Sequence, residues 1–351
     1  MIESKQHLNF YNSSRSVQAP VSLIFTVLNE GEDVRKLMDS LLQQRRLPDE
    51  VVVVDGGSTD QTVAVLEAYA NRLPLRIIIE PGANISRGRN VAIEQARHEL
   101  IAVTDAGVRL EPDWLERLLA PFEKSDGAHG AEMPDFVSGF FLPDPKSLFE
   151  HALAMTTLPA REEMGKGRFM PSSRSVAFTR AIWRRVGGYP EWMTWSEDVL
   201  FDLALMNIGA KIVYQPDAIV WFRPRASLNA FIRQYRNYAY GDGQGLLWPK
   251  RHLIRYITYL ILLPVLLFLL KRQAVLGLFL LLAAGVAMFW TPFKRHWRSG
   301  RYRWPTFLLI PIIRIAGDVA KMWGFPQAVA EGWQNKQQTE TYLKGQGVRK
   351  K

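Results

Sequence analysis

Fifteen consecutive residues between Arg255 and Lys271 carry no charge, and neither do the twenty-one between Arg272 and Lys294. No other feature of the chain restricts its fold as much. A helix crossing the hydrocarbon core takes roughly 17–25 apolar residues, so QAVLGLFLLLAAGVAMFWTPF meets that length outright. YITYLILLPVLLFLL meets it once Leu253 and Ile254 join and Arg255 reaches back to the interface. Runs this rich in leucine leave no polar face for water, which makes a buried hairpin of a soluble protein the weaker alternative. Tyr256, Tyr259, Phe289, Trp290 and Trp297 sit near the run ends, where amphipathic rings favour the headgroup level. The pattern predicts an α-helical membrane hairpin over 250–293.

The formal charge of +10 invites a nucleic-acid partner, but position removes that reading. Residues 1–249 hold 27 Lys and Arg against 31 Asp and Glu, whereas residues 250–351 hold 17 against 3. The basic excess therefore flanks the apolar runs, facing anionic headgroups, and the expected partner is the lipid bilayer with no nucleic acid. Lys250, Arg251 and Arg255 precede the hairpin, and Lys294, Arg295, Arg298, Arg301 and Arg303 follow it; only Lys271 and Arg272 lie in its loop. The positive-inside bias then places residues 21–249 on the cytoplasmic side of the cell (inner) membrane in a multi-pass protein. Within the basic segment 294–351, Trp304 to Phe325 is interrupted by Arg314, Asp318 and Lys321 and reads as an amphipathic interfacial or re-entrant helix, followed by a tail ending VRKK. Residues 1–20 form a polar extension without the apolar core of a cleavable signal peptide. The absence of cysteine excludes disulfides, a thiol nucleophile and thiolate metal sites.

Between 21 and 249 short β-rich runs alternate with helical patterns, the signature of an α/β fold with a mostly parallel central sheet and flanking helices. Val21 to Val27, the four-valine run ending at Asp55, Leu75 to Glu80 and Leu100 to Asp105 read as strands. Val34, Leu37, Met38, Leu41 and Leu42 recur at helical spacing after the first; TVAVLEAYANRL follows the second, and RGRNVAIEQARH, capped by Ser86, the third. Three strands end in polar turns: Asn29-Glu30, Asp55-Gly56-Gly57-Ser58 and Asp105-Ala106-Gly107. Parallel strands share one carboxyl edge, where ligands bind, so Asp55 and Asp105 are expected on one rim. No GxGxxG occurs, which removes the dinucleotide fingerprint.

Asn29-Glu30, VVDGGSTD (Val53 to Asp60), NISRGRNVAI (Asn84 to Ile93), VTDAG (Val103 to Gly107) and WSEDVLF (Trp195 to Phe201) occur in the order and spacing that resemble family-2 glycosyltransferases. These are inverting nucleotide-sugar enzymes of the GT-A, Rossmann-like fold, and the resemblance covers about residues 21–245. It implies that Asp55 accepts a hydrogen bond from the nucleobase, with Val27, Glu30 and Gly57 around the nucleoside; glycine lets a base approach the backbone. An acid capping the next helix is the plain alternative. Arg89 and Asn90, at a helix start, would hold the diphosphate or the nucleoside beside it, unless Arg89 is a surface residue of an amphipathic helix. Asp105 and Ala106 fall in the family's Asp-x-Asp, whose acids meet the ribose and an Mg2+ or Mn2+ on the diphosphate. Gly107 stands at the last position here, which leaves Asp105 as the ligand the motif still supplies, with Asp113, Asp217 and His151 as further candidates, and weakens the metal requirement.

Glu197 and Asp198 match the catalytic-base motif, with Asp198 preferred, although acids in a first helical turn also suit the macrodipole without any chemistry. Ser172, Ser173 and Arg174, in Phe169 to Arg180, offer diphosphate or sugar contacts. Tyr189, Trp192 and Trp195 are either an acceptor-stacking platform or core, and Arg233, Arg236 and Tyr240 either gate the diphosphate or belong to an interfacial helix. The Gln-x-x-Arg-Trp of processive relatives reads Gln234-Tyr235-Arg236-Asn237-Tyr238, so single transfer is expected. The resemblance thus implies a membrane-anchored enzyme of envelope polysaccharide synthesis. It would move one sugar from a nucleotide-diphosphate donor, UDP-linked by inheritance, to a polyprenyl-linked or other envelope-glycan acceptor at the cytoplasmic leaflet. A catalytically degenerate donor-binding scaffold of a polysaccharide assembly complex is the alternative that Gly107 motivates.

Overall fold

A computed structural model describes residues 18–123, 132–164, 170–299 and 303–345. Most of the N-terminal extension, Phe169, Arg301 and the VRKK tail lie outside the described residues. The first half of the α/β region follows the sequence reading: β1 (Val21–Val27), α1 (Val34–Leu42), β2 (Glu50–Asp55), α2 (Thr62–Glu67), β3 (Leu75–Ile79), α3 (Ile85–Gln95) and β4 (Leu100–Val103). These strands lie parallel in the order β3-β2-β1-β4. Every residue of β2 is buried, as a strand covered by helices on both faces must be. The cap of α3 is Asn84 rather than Ser86: its side chain accepts the Arg87 N–H at 2.8 Å from an extended backbone, while Ser86 is already inside the helix.

The sheet continues beyond β4. Next come β5 (Val108–Leu110), α4 (Trp114–Glu123), β6 (Phe136–Pro143), α5 (Leu148–Thr157), β7 (Val176–Thr179), α6 (Arg180–Val186), α7 (Glu197–Asn207) and β8 (Ile212–Phe222). They extend the order to β4-β7-β6-β8-β5, with β7 antiparallel to both neighbours, β6 parallel to β8, and β5 antiparallel to β8. The result is one eight-stranded mixed sheet with an apolar core on each face. One core packs beneath α1, α2 and α4, the other beneath α3, α6 and α7.

Beyond the sheet, α8 (Leu228–Gln244) leads into α9 (Pro249–Ile257), a π turn at Thr258–Leu262, and α10 (Leu263–Arg272). Pro264 lacks an N–H and crowds the carbonyl one turn back, which accounts for the widened turn just before it. α11 (Ala274–Ser299) continues through Pro292, past the boundary expected at 293. Pro249–Arg272 and Ala274–Arg298 are long and apolar enough to cross a membrane, and their leucines and phenylalanines are mostly exposed.

The third stretch is one helix, α12 (Arg303–Gln334), longer than the amphipathic segment expected at 304–325, followed by α13 (Lys336–Leu343). Ile310, Ile313, Ala320 and Ala328 are buried on one side of α12; Trp304, Leu308, Ile312, Ile315, Val319 and Trp323 are exposed on the other. That outward apolar stripe at helical spacing is the pattern of a helix lying in an interface.

Candidate active site

The carboxyl ends of β1, β2 and β4 form one wall of the site. The turns after β1 and β2 brace each other: Asn29, at φ 53, accepts the Thr59 N–H at 2.9 Å and donates its own N–H to Ser58 Oγ at 2.8 Å. Asp55 is buried, and its carboxylate accepts the Gly57 and Ser58 N–H groups at 3.0 and 2.8 Å as well as the Ser58 hydroxyl. Asp55 therefore shapes the glycine turn, with Gly57 at φ +98, while Val27, Glu30 and Gly56 line the open space beside it. Burial raises the Glu30 pKa above the ordinary carboxylate value, helped by Asp33 and Asp105.

Arg89 crosses the floor of the site. A Cβ on Gly88 would lie 2.8 Å from the Thr26 methyl, so the glycine lets α3 lie tight on β1 and delivers Arg89 inward. The buried guanidinium donates to Glu197 Oε1 at 2.8 Å and to Asp105 Oδ1 at 3.0 Å, and stands 5.1 Å over the Tyr189 ring. One planar cation thus ties β4, α3 and α7 together, a bridge that a lysine ammonium could not reproduce. Burial, then the nearby Asp198, push the Glu197 pKa up to about 7 despite Arg89. Asp202, one turn further on, is buried with Oδ2 unpartnered, and burial holds its pKa well above the ordinary range. Asp198 lines the open space and forms no ion pair among the described residues; its Oδ1 accepts the Val199 N–H at 2.9 Å.

The two acids owe their position to a strained turn. Ser196, just before α7, sits at φ 59, a left-handed conformation that a non-glycine residue keeps only when its surroundings impose it. Its hydroxyl donates to the Tyr238 carbonyl at 3.2 Å, and Gly241 of α8 lies directly against the Trp195 backbone.

The space itself is an open cleft of about 1220 Å³. It runs from the β1–β2–β4 rim past Glu197 and Asp198 to Trp195, Arg174, Arg225, Arg233 and Tyr238. It ends against Arg251, Arg255 and Lys321, where α9 and α12 meet the α/β region. Arg174 approaches Asp105 at 3.7 Å, donates to Ser172 Oγ at 3.0 Å and lies 5.0 Å over the Phe222 ring. Ala106 and Ser172 also face the cleft, whereas Ser173 is engaged with the Tyr189 hydroxyl at 3.0 Å.

Several expected contacts are corrected. Asn90 donates to the Tyr189 carbonyl and to Glu191, both at 2.9 Å, and accepts from the Tyr189 N–H at 2.7 Å and Trp183 Nε1 at 3.2 Å. Its amide is spent pinning that loop and does not reach the cleft. Tyr189 stacks on Phe201 at 4.3 Å inside the core, and Trp192 meets Tyr342 edge-on at 5.2 Å, so of the three aromatics only Trp195 lines the cleft. Arg236 lies 5.2 Å over Trp323 and Tyr240 donates to Glu331, fastening α8 to α12; Arg233 alone of that trio faces the cleft.

Sequence reasoning missed Arg225, for which the RPR of the β8–α8 turn was the available signal, and Tyr238. Arg251 and Arg255, whose sequence positions point only to membrane orientation, line the cleft as well. For a divalent ion the cleft offers Asp105, whose Oδ1 is shared with Arg89. No group of three or more His, Cys, Asp or Glu side chains suited to a metal exists among the described residues. An ion there would take its remaining ligands from a diphosphate and water.

A profile of the family described as Glycosyl transferase family 2 matches residues 22–184. The glycosyltransferase AglE of Haloferax volcanii is 25% identical over 232 residues, 65% of this chain and 74% of that protein. The O-antigen chain rhamnosyltransferase RfbN of Salmonella typhimurium is 25% identical over 212 residues, 57% of this chain and 65% of that protein. YibD of Escherichia coli, an uncharacterized glycosyltransferase, is 33% identical over 100 residues, 28% of this chain and 29% of its own length. Among solved structures, the mannosyltransferase PcManGT of Pyrobaculum calidifontis, in complex with GDP-Man and Mn2+, superposes with a TM-score of 0.58 at 19% identity. That match covers 88% of each chain, and the two share the GT-A type of fold.

Proposed function

Since residues 22–184 belong to glycosyl transferase family 2, we propose that this glycosyltransferase works by inversion and is anchored in the membrane. It moves one sugar from a nucleotide diphosphate, UDP-linked by preference, to a lipid-linked envelope-glycan acceptor. The observation that carries the reading is the continuity of the cleft from the strand rim, past Asp198, to the foot of the first apolar helix. The nucleoside lies along Val27, Glu30 and Gly56, and Arg174, Arg225 and Arg233 face the diphosphate.

Asp198 accepts the proton of the acceptor hydroxyl as its oxygen attacks the anomeric carbon and the nucleotide diphosphate departs from the opposite face. Glu197 is spent on Arg89, which leaves Asp198 the acid free to take that proton. Arg89 keeps the base helix and Asp105 in register. A Mg2+ or Mn2+ held through Asp105 would neutralise charge on the leaving diphosphate.

The test uses the full chain in detergent with a panel of UDP- and GDP-sugars, with and without Mn2+. A stabilising donor should be found by thermal shift. Asp198→Asn should keep that stabilisation and lose roughly 10²–10⁴-fold in sugar transfer to lipid extracts. Undiminished transfer by Asp198→Asn would remove the proposed base. Donor binding without transfer by the unaltered chain would favour the scaffold reading that Gly107 motivates.

A further inference from the structure

We propose that the membrane-side end of the cleft is a separate anion site, formed by Arg251 and Lys321 beside Arg255, that takes the phosphate or diphosphate headgroup of an amphiphilic acceptor. The inference rests on the lipid-linked acceptor reading and gives it a recognition element. Lys321 lines the cleft with its Nζ 4.7 Å over the Tyr235 ring, and among the described residues it forms no ion pair. Arg251 also lines the cleft, lies 4.3 Å over the Trp248 ring and forms no ion pair among the described residues.

The neighbouring acids are already committed. Asp318 accepts from Arg255 at 2.9 Å and from the Tyr259 hydroxyl at 3.2 Å, with Arg314 3.5 Å away, and Asp242 faces His252 at 3.1 Å. A half-buried ammonium without a carboxylate partner is unfavourable, and desolvation, then Arg255, press the Lys321 pKa down to about 8. An arriving anion would relieve that cost. A neutral soluble sugar offers nothing to this end of the cleft, whereas a phosphorylated lipid does. Arg251 and Arg255 sit on α9, where the first apolar helix begins, so a headgroup bound there keeps its tail at membrane level while its sugar extends toward Asp198.

The test is a titration of the full chain in phosphatidylcholine nanodiscs, followed by tryptophan fluorescence, with geranylgeranyl diphosphate, inorganic pyrophosphate and geranylgeraniol. The prenyl diphosphate should bind, and Lys321→Gln and Arg251→Gln should each weaken it at least tenfold. Lys321→Arg should retain it, which separates loss of charge from misfolding. Pyrophosphate and the alcohol should bind far more weakly. Equal affinity in the Gln variants, or no prenyl diphosphate binding by the unaltered chain, would overturn the site. Pyrophosphate binding as tight as the prenyl form would overturn the lipid as its source. Nucleotide-sugar stabilisation, measured on the same samples, reports separately on the transferase reading.

Discussion

At the scale of single residues the site turns on one buried guanidinium. Arg89→Met would leave Glu197 and Asp105 without their shared cation, and breaking a buried pair this way costs about 3–5 kcal/mol. Arg89→Lys should recover only part of that, because one ammonium cannot serve both acids. Thermal unfolding of the full chain in detergent reads both variants. Glu197 adds a pH dependence whose sign follows from its raised pKa of about 7 against an ordinary 4.5. Its contribution to stability is fully present below 4.5 and is lost as pH rises toward 7. Between pH 5 and 8 the unfolding midpoint of the unaltered chain should therefore fall relative to Glu197→Gln, which still accepts from Arg89; parallel midpoints would refute the shift. The sequence displayed Arg89, Asp105 and Glu197 as site residues but not their bridge. Its two arms join positions 16 and 108 residues apart, and no local periodicity encodes such a contact. Asn90 misled for the opposite reason: its place in a motif concealed an amide wholly occupied by its own fold.

The elements that were legible are those with a clean local signal. β1 and β2 read directly because a fully buried parallel strand is a short apolar run between turns. β6 and β8 did not: Gly139 sits at a register shift in one, and Pro216-Asp217 interrupt the other, so neither shows a regular alternation. The α8–α12 crossing that closes the cleft was equally silent, because it depends on glycines meeting across a gap. Gly324 lies against the Arg236 carbonyl, and Gly332 against that of Gly243. A methyl at Gly324 meets backbone that cannot rotate away, so Gly324→Ala should destabilise by roughly 1–3 kcal/mol, the usual range for overpacking. Gly285→Ala in α11 is the contrast. Nothing lies within 4 Å of its added methyl, and the change should be neutral or stabilising by about 1 kcal/mol through helix propensity. Unfolding midpoints of the two variants moving together would show that the crossing is not tightly packed.

Over the whole molecule, charge and apolar surface are divided by region, and the division was visible because both are additive along the chain. The cationic end of the cleft was not, since Arg251 and Lys321 are seventy residues apart and become neighbours of one space only when α12 folds back beneath α8. The same charge pattern carries a topology that the absence of cysteine makes directly measurable. Single cysteines at Glu67 in the catalytic region, Gln273 between the two apolar helices and Gln337 on α13 all occupy exposed or loop positions. If the hairpin spans twice and leaves the α/β region cytoplasmic, as proposed, a membrane-impermeant maleimide should label Gln273→Cys in intact cells. Glu67→Cys and Gln337→Cys should be labelled only after permeabilisation, because an even number of crossings returns α12 and α13 to the side of the sheet. Labelling of Gln337→Cys from outside would set α13 across the membrane from the sheet, which is incompatible with Tyr342 packed on Trp192 and bonded to the Gly188 carbonyl, and would overturn the two-span topology together with the α12–α8 crossing. Protection of all three in intact cells would mean that the hairpin never crosses, leaving the apolar helices to be covered by another protein.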